Sequence, residues 1–117
     1  MRKVALVTGG AKGIGAAICK ELAGAGYDVV INYLTSKEKA EALAKELTSL
    51  GVKVLTYKCD VSKEKEVDEM IQFIESKLGT VDILVNNAAV DLSCMWHEKT
   101  AENFRKTLDV NVIGAFN

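Results

Sequence analysis

The sequence predicts an α/β protein in which helices cover both faces of a parallel β-sheet, and two observations carry this prediction. Short runs rich in β-branched residues alternate with helical patterns in the order βαβαβαβα. Three of these runs are apolar at most positions, which is typical of parallel strands covered on both faces. Because crossovers between parallel strands are right-handed, this order folds into a doubly wound sheet.

Four segments are predicted to be strands, and each is short and flanked by polar residues or glycine. The first, second and fourth are the nearly continuous apolar runs, whereas the third mixes apolar with polar residues. In chain order the segments are Lys3–Thr8, Asp28–Tyr33, Val52–Cys59 and Val81–Asn86. Their even spacing leaves room for one helix between each pair of strands.

The first two helices have recognisable start and stop signals. A glycine-rich loop opens the first helix, which extends to about Gly24 or Gly26. Thr35 and Glu38 have the spacing of a capping box, which predicts the start of the second helix. Gly51 then predicts its end, because glycine adopts the left-handed conformation that commonly terminates helices.

The last two helices are marked by hydroxyl residues. Ser62 is the predicted cap of the third helix, which ends before Gly79, and Thr100 is the predicted cap of a fourth that reaches the C-terminus. A flavodoxin-like regulator domain has the same alternation of strands and helices. Such a domain would carry an acidic cluster after the first strand, where this chain has Thr8 and glycines instead.

Composition excludes several classes of function. The chain has 117 residues and a net charge of −1, so it has no basic field for nucleic acid or anionic lipid. No apolar run approaches the ~20 residues of a membrane helix. Its cysteines, Cys19, Cys59 and Cys94, are odd in number and widely spaced, which favours a reducing, cytoplasmic setting without disulfides. Cys94 and His97 form only an incidental pair, so no metal site is expected.

The loop TGGAKGIG, Thr8–Gly15, has the pattern of a preformed anion site. Its backbone N–H groups and the positive end of the following helix would face a ligand. Gly9 permits a tight turn, Gly13 permits close approach of a pyrophosphate, and Gly15 permits close packing of helix against strand. A Walker loop would place Ser or Thr after a Gly-Lys pair, whereas Lys12 precedes its glycine. A plain strand-to-helix turn is the alternative, although it needs one glycine.

Four segments in order resemble the motifs of the short-chain dehydrogenase/reductase family. Thr8-Gly9-x-x-x-Gly13-x-Gly15 resembles its cofactor motif, and Cys59-Asp60-Val61 is similar to the segment whose aspartate binds adenine. Asn86-Asn87-Ala88-Ala89 resembles Asn-Asn-Ala-Gly, with Ala89 in place of the glycine, and Asp109-Val110-Asn111 resembles the segment that carries a catalytic asparagine. The resemblance implies a Rossmann-like doubly wound sheet with four strands and four helices present, over essentially the whole chain.

The resemblance implies roles for particular residues. Asn111 is the implied catalytic residue, which would hold a water that relays protons to a catalytic lysine. The implied cofactor-binding residues are Gly9, Gly10, Lys12, Gly13, Ile14, Gly15, Tyr33, Asp60, Val61, Asn87, Ala88 and Ala89. The residues alone leave alternatives open. Asp60 can be a charge at a helix N-terminus, the two alanines can be ordinary close packing, and a structural network can satisfy a buried Asn111.

The end of the second strand predicts which nicotinamide cofactor is preferred. NAD-binding proteins of this fold place an acid there to bond the ribose 2′-hydroxyl. This chain has Tyr33 and Leu34 instead, and Lys12 lies across from them on the loop. We therefore expect NADP(H) to be preferred and NAD(H) to be the second cofactor, with a solvated Lys12 as the alternative.

The resemblance also implies what residues 1–117 lack. The family's Ser and Tyr-x-x-x-Lys residues follow a fifth strand. Tyr33 does have a lysine four residues later, Lys37, but this pair follows the second strand, so it is not the implied catalytic pair. Residues 1–117 are thus expected to be the NADP(H)-binding N-terminal part of one Rossmann-fold domain, inactive without a C-terminal catalytic half.

The expected function is hydride transfer between NADP(H) and a carbonyl or alcohol, with likeness to 3-oxoacyl-(acyl-carrier-protein) reductases. The expected substrate is a small or acyl-carrier-bound carbonyl compound, and the full-length protein is expected to be a homo-oligomer without nucleic-acid or membrane partners. Sugar and hydroxysteroid dehydrogenases are alternatives among enzymes. A non-catalytic nucleotide-binding or interaction module is the alternative outside enzymes.

Overall fold

Strand β1, Val4–Val7, is an inner strand of a four-stranded parallel sheet. The computed structural model describes residues 2–88. Within them β1 is followed by α1 (Gly13–Gly24), β2 (Asp28–Tyr33), α2 (Lys37–Thr48), β3 (Val54–Lys58), α3 (Glu64–Lys77) and β4 (Val81–Val85). All strand pairs are parallel, in the spatial order β3-β2-β1-β4. The predicted α/β class with a doubly wound sheet is therefore confirmed.

Each face of the sheet carries its own apolar core. Side chains alternate along β2, so Val29 and Ile31 belong to one core and Val30 to the other. Helices α1 and α2 cover the first face, through residues that include Cys19 and Leu43. Helix α3 covers the opposite face through Val67, Met70 and Ile74. Burial on both faces explains why the first two strands are almost free of polar residues.

The amino ends of β2 and β3 are joined by a buried carboxylate. Asp28 Oδ1 accepts a hydrogen bond from the N–H of Lys53 at 2.8 Å. Asp28 is the first residue of β2 and Lys53 directly precedes β3, so this bond holds the amino-terminal ends of the two strands together. The glycine loop follows the carboxyl end of β1, so the Asp28 bond and the glycine loop lie at opposite ends of the strands.

Two of the predicted helix starts are wrong. Helix α2 follows Ser36, so Glu38 is its second residue and cannot complete a capping box with Thr35, and no side-chain hydrogen bond caps the helix. The carboxylate of Glu38 still lies in the first turn, where it complements the helix dipole. Helix α3 follows Lys63, and the hydroxyl of Ser62 donates to Asp60 Oδ1 at 2.6 Å instead of capping the helix.

The predicted helix ends and strands agree better with the structure. Gly26, Gly51 and Gly79 follow the three helices with positive φ angles of 94°, 91° and 107°. Strand β2 has its predicted bounds, while the other three strands are shorter than predicted by one to three residues, counted over both ends. The fourth helix, with its Thr100 cap, lies outside the described residues.

Both described cysteines are buried free thiols in the cores. Burial raises the pKa of Cys19 to about 11. Burial, followed by the negative charges of Glu66, Asp60 and Glu69, raises the pKa of Cys59 to about 11. Because the thiolate is the reactive form, both cysteines are chemically inert packing residues at neutral pH. Cys94 and His97 lie outside the described residues.

Two further observations concern the described part of the chain alone. None of its helices is long and apolar enough to cross a membrane. Between Arg2 and Ala88, no three His, Cys, Asp or Glu side chains are grouped so that they could hold a metal ion.

Candidate functional site

The loop between β1 and α1 lies at the carboxyl ends of the strands. It follows β1, the strand on whose two sides the chain order diverges. From β1 the chain crosses to β2 on one side, and β4 later pairs with β1 on the other side. Ligands of doubly wound sheets bind in the crevice at such a switch point. Gly9 and Gly13 have φ angles of 63° and 60°, in the left-handed region that other residues rarely adopt. The glycines therefore give this loop a conformation that places its backbone at the crevice.

The peptide groups of Gly9 are held from both neighbouring strands. Its N–H donates to Asn32 Oδ1 at 3.2 Å, and its carbonyl oxygen accepts from Asn87 Nδ2 at 3.0 Å. The N–H of Gly10 donates to the backbone oxygen of Asn32 at 2.9 Å. Asn32 belongs to β2 and Asn87 follows β4, so the loop is fixed to the strands on either side of β1.

The hydroxyl of Thr8 fixes the segment after β4 against the glycine loop. Thr8 Oγ1 accepts from the N–H groups of Asn87 and Ala88 at 2.9 and 3.0 Å, and it donates to the carbonyl oxygen of Val85 at 3.3 Å. The N–H of Thr8 also donates to Val85 at 3.1 Å. The buried Thr8 side chain and the Asn87 amide thus both hold these two loops together at the switch point.

Gly15 lies where the first turn of α1 passes closest to the end of β1. A Cβ atom there would collide with the carbonyl oxygen of Gly9 and would lie 2.6 Å from Asn87 Nδ2 and 3.0 Å from the Cα atom of Gly10. The third glycine of the motif is therefore required by packing of the protein against itself. This agrees with the role predicted from its spacing.

The N-terminus of α1 is left without a partner of its own. No side chain caps it and its first turn contains no acid, whereas the first turns of α2 and α3 contain glutamates. Within residues 2–88, the N–H groups of Gly13, Ile14 and Gly15 have no acceptor. A Cβ atom at Gly13 would meet nothing within 4 Å. Open space, unpaired donors and a positive helix end together form a site for an anionic group.

The remaining predicted residues lie around this N-terminus or on the adjacent loops. Lys12 and Ile14 are exposed, Ile14 to 75%, and Lys12 forms no ion pair with any residue of the described range. Tyr33 ends β2 and is half-buried, and Ala88 is half-buried beside the core under α3. The predicted site residues Ala89 and Asn111 lie outside the described residues.

Asp60 holds the turn between β3 and α3. Its Oδ1 accepts from both the N–H and the hydroxyl of Ser62, and its own N–H donates to Glu66 Oε1 at 3.1 Å. Asp60 precedes the first turn of α3, so its carboxylate is a turn constraint rather than a helix-terminal charge. The side chain of Val61 is buried in the core on the α3 face, so it does not reach a ligand.

Two residues that shape the site, Asn32 and Thr8, were absent from the predicted site residues. Asn32 is 2% exposed and bonds the glycine loop, and the buried Thr8 bonds the segment after β4. A signal for Asn32 was present, because an amide in an otherwise apolar strand needs buried partners. The sequence does not show which partners these are.

The fold and the site define a class of protein. It is a doubly wound parallel sheet of the Rossmann type, with a glycine loop and an open helix N-terminus at its switch point. The family model described as short chain dehydrogenase matches residues 3–117. The chain belongs to the short-chain dehydrogenase family.

Two curated relatives cover the chain completely. It is 41% identical over 117 residues to a 3-oxoacyl-(acyl-carrier-protein) reductase of Staphylococcus epidermidis and spans 48% of that protein. It is 45% identical over 117 residues to an acetoacetyl-CoA reductase of Rhizobium meliloti and spans 46% of it. The chain thus spans about half the length of the curated relatives that it matches.

Solved structures show the same relationship. A short chain dehydrogenase of Burkholderia cenocepacia in complex with NADP superposes with a TM-score of 0.91 at 38% identity, over 97% of this chain and 46% of that one. An alcohol dehydrogenase of Thermococcus sibiricus complexed with 5-hydroxy-NADP superposes with a TM-score of 0.89 at 34% identity, over 99% of this chain and 49% of that one.

Substitution of Gly15 tests the packing at the switch point. We expect Gly15→Ala to lower the free energy of unfolding by about 1–3 kcal/mol, the usual cost of overpacking. Gly24→Ala, in the same helix, should raise it by about 0.5–1 kcal/mol, because the added Cβ meets nothing within 4 Å and alanine favours helix. Urea unfolding of both variants in the full natural chain measures the two effects. A Gly15→Ala protein as stable as the wild type would contradict the packing described here.

Proposed function

We propose that the full natural protein is an oxidoreductase that transfers a hydride between NADP(H) and a carbonyl or alcohol substrate, and that this chain supplies the cofactor-binding part. The observation that carries the proposal is the open N-terminus of α1 at the switch point. Three unpaired N–H groups lie there beside the open space at Gly13, and glycines form the approach to them. A dinucleotide pyrophosphate is the anion that fits a glycine loop of this spacing.

Each part of the cofactor has a proposed place among the chain's residues. The loop Gly9–Gly15 would bind the pyrophosphate through its backbone, and the segment Asp60–Val61 would bind the adenine ring. Asn87, Ala88 and Ala89 would line the nicotinamide. When bound, the cofactor supplies the hydride. The protein's own part would be to fix the position of the ring, and the bonds of Asn87 to Thr8 and Gly9 support this role.

The proposed preference for NADP(H) rests on the absence of an acidic residue at the end of β2 and on a lysine nearby. Tyr33 is followed by Leu34, Thr35 and Ser36, so the crevice there has no carboxylate that would repel a 2′-phosphate. The exposed ammonium group of Lys12, on the neighbouring loop, is free of internal ion pairs within the described part of the chain. We therefore assign Lys12 and Tyr33 to the 2′-phosphate. The two superposed structures with NADP and 5-hydroxy-NADP support a cofactor of this class.

The proposed substrate is a 3-oxoacyl group on an acyl carrier. The names of both curated relatives describe reduction of such a group, on acyl-carrier protein in one and on coenzyme A in the other. Asn111 is the proposed catalytic residue of this chain, and the proton donor would come from outside residues 1–117. We further propose a cytoplasmic homo-oligomer for the full natural protein.

An activity assay with two valine variants tests the proposed reaction. We expect the full natural protein to oxidise NADPH with acetoacetyl-CoA, more slowly with an aldose or a ketosteroid, and Gly13→Val to lose this activity and its NADPH binding. Gly26→Val is the matched control, because Gly26 also has a positive φ and open space but lies at the other end of α1. It should keep both. Wild-type protein that binds NADPH but reduces no carbonyl would contradict the reaction and favour a nucleotide-binding module.

Two substitutions that change the charge beside the proposed 2′-phosphate site test the cofactor preference separately. A charge-assisted hydrogen bond contributes roughly 1.5–3 kcal/mol, so Lys12→Ala should weaken NADPH binding about ten- to a hundredfold and NADH binding little. Tyr33→Asp should shift the preference toward NADH. Lys20→Ala is the control, since Lys20 pairs with Glu46 of α2 and should affect neither cofactor. Calorimetric titration gives all three results. Equal losses for NADPH and NADH in Lys12→Ala would refute the 2′-phosphate assignment.

A further inference from the structure

Asn32 is a buried amide that touches two loops at once. It is 2% exposed and lies one residue before the end of β2. Its Oδ1 accepts from the N–H of Gly9 at 3.2 Å, while its backbone oxygen accepts from the N–H of Gly10 at 2.9 Å. Both bonds hold the glycine loop that follows β1.

The other end of the same amide reaches strand β3 and the segment after it. Asn32 Nδ2 donates to the backbone oxygen of Cys59 at 3.2 Å and to that of Tyr57 at 3.4 Å. Only this orientation of the amide gives an acceptor to the Gly9 N–H and donors to two carbonyl oxygens. Oδ1 and Nδ2 of Asn32 thus both have hydrogen-bond partners. No side-chain polar atom buried within residues 2–88 lacks one.

The two loops joined by Asn32 are the ones assigned to opposite parts of the cofactor. The glycine loop is the proposed pyrophosphate site, and Cys59 directly precedes the proposed adenine segment Asp60–Val61. Within the described range, Asn32 is the side chain that hydrogen-bonds to both. Backbone bonds also tie each loop to β2, from the N–H of Gly10 to the Asn32 oxygen and from the N–H of Cys59 to the Tyr33 oxygen. The Asn32 side chain adds a direct link between the two loops, and we expect their exact spacing to depend on it.

We propose that Asn32 is a positioning residue that couples the pyrophosphate and adenine subsites, an inference that rests on the proposed NADP(H) site. NADPH spans both loops, so its affinity depends on their spacing. A small ligand that occupies one loop does not sense that spacing. Loss of Asn32 should thus weaken the whole dinucleotide and leave single-loop ligands almost unaffected.

The competing explanation is that Asn32 only stabilises the fold, and Asp28 provides the control for it. Asp28 is also buried, also lies on β2, and also bonds to a backbone group beside β3. This bond lies at the amino-terminal ends of the strands, whereas both loops lie at the carboxyl-terminal ends. Asp28→Ala therefore removes a buried side-chain link between β2 and the start of β3 without altering the spacing of the two subsites.

The test compares Asn32→Ala, Asn32→Leu and Asp28→Ala in the full natural chain, at a temperature where each is folded. Asn32→Ala leaves room for water to hydrate the freed groups, so it remains usable if Asn32→Leu does not fold. We expect both Asn32 variants to weaken NADPH about tenfold, and adenosine or inorganic pyrophosphate less than twofold. Asp28→Ala should leave all three affinities unchanged. Calorimetry for NADPH and NMR titration for the two small probes provide the values.

Hydrogen exchange of the protein without ligand separates this inference from the proposed function. In both Asn32 variants, exchange should accelerate at Gly9 and Gly10 and at residues 59–61, but not in Asp28→Ala. If wild-type protein binds no NADPH, the proposed function fails, and the exchange pattern alone then decides whether Asn32 joins the two loops. Unchanged exchange at either loop, unchanged NADPH affinity, or equal losses for NADPH and the small probes would overturn the coupling role.

Discussion

The site depends on the close approach of the first turn of α1 to the end of β1. Gly15 makes this approach sterically allowed, because any Cβ there would overlap the carbonyl oxygen of Gly9. The same carbonyl accepts from Asn87, and the N–H of Gly9 donates to Asn32. Gly15 and the two asparagines therefore all contact the same peptide segment at Gly9. Its position is determined by strands β2 and β4 as well as by β1.

This fixed geometry leaves the positive end of α1 open. The first turns of α2 and α3 contain glutamates, whose charge complements the helix dipole, whereas the first turn of α1 contains no acid. Unpaired N–H groups at a helix start are stabilised by water or by an anion. Because the surrounding backbone is already held by hydrogen bonds, an anion that binds there does not first have to order the loop. Preorganisation of this kind favours a tight and specific contact with phosphate.

The sequence predicts the parts of this structure that local patterns determine. Apolar runs and their spacing predicted all four described strands, and the glycines at 9 and 15 predicted the turn and the close packing. The capping predictions at Thr35 and Ser62 were wrong, since hydroxyl residues near a helix start also fit turns, as Ser62 does with Asp60. Asn32 was missed because its partners are 23 to 27 residues away, and only the folded sheet brings them together.

The proposed function requires that the first-turn N–H groups of α1 bind the pyrophosphate of NADPH. Hydrogen exchange of the amides of Gly13, Ile14 and Gly15, with and without saturating NADPH, tests it most directly. We expect marked protection of these three amides by NADPH and none by adenosine alone. NADPH binding that protects other segments and leaves these amides exchanging at their ligand-free rate would contradict it.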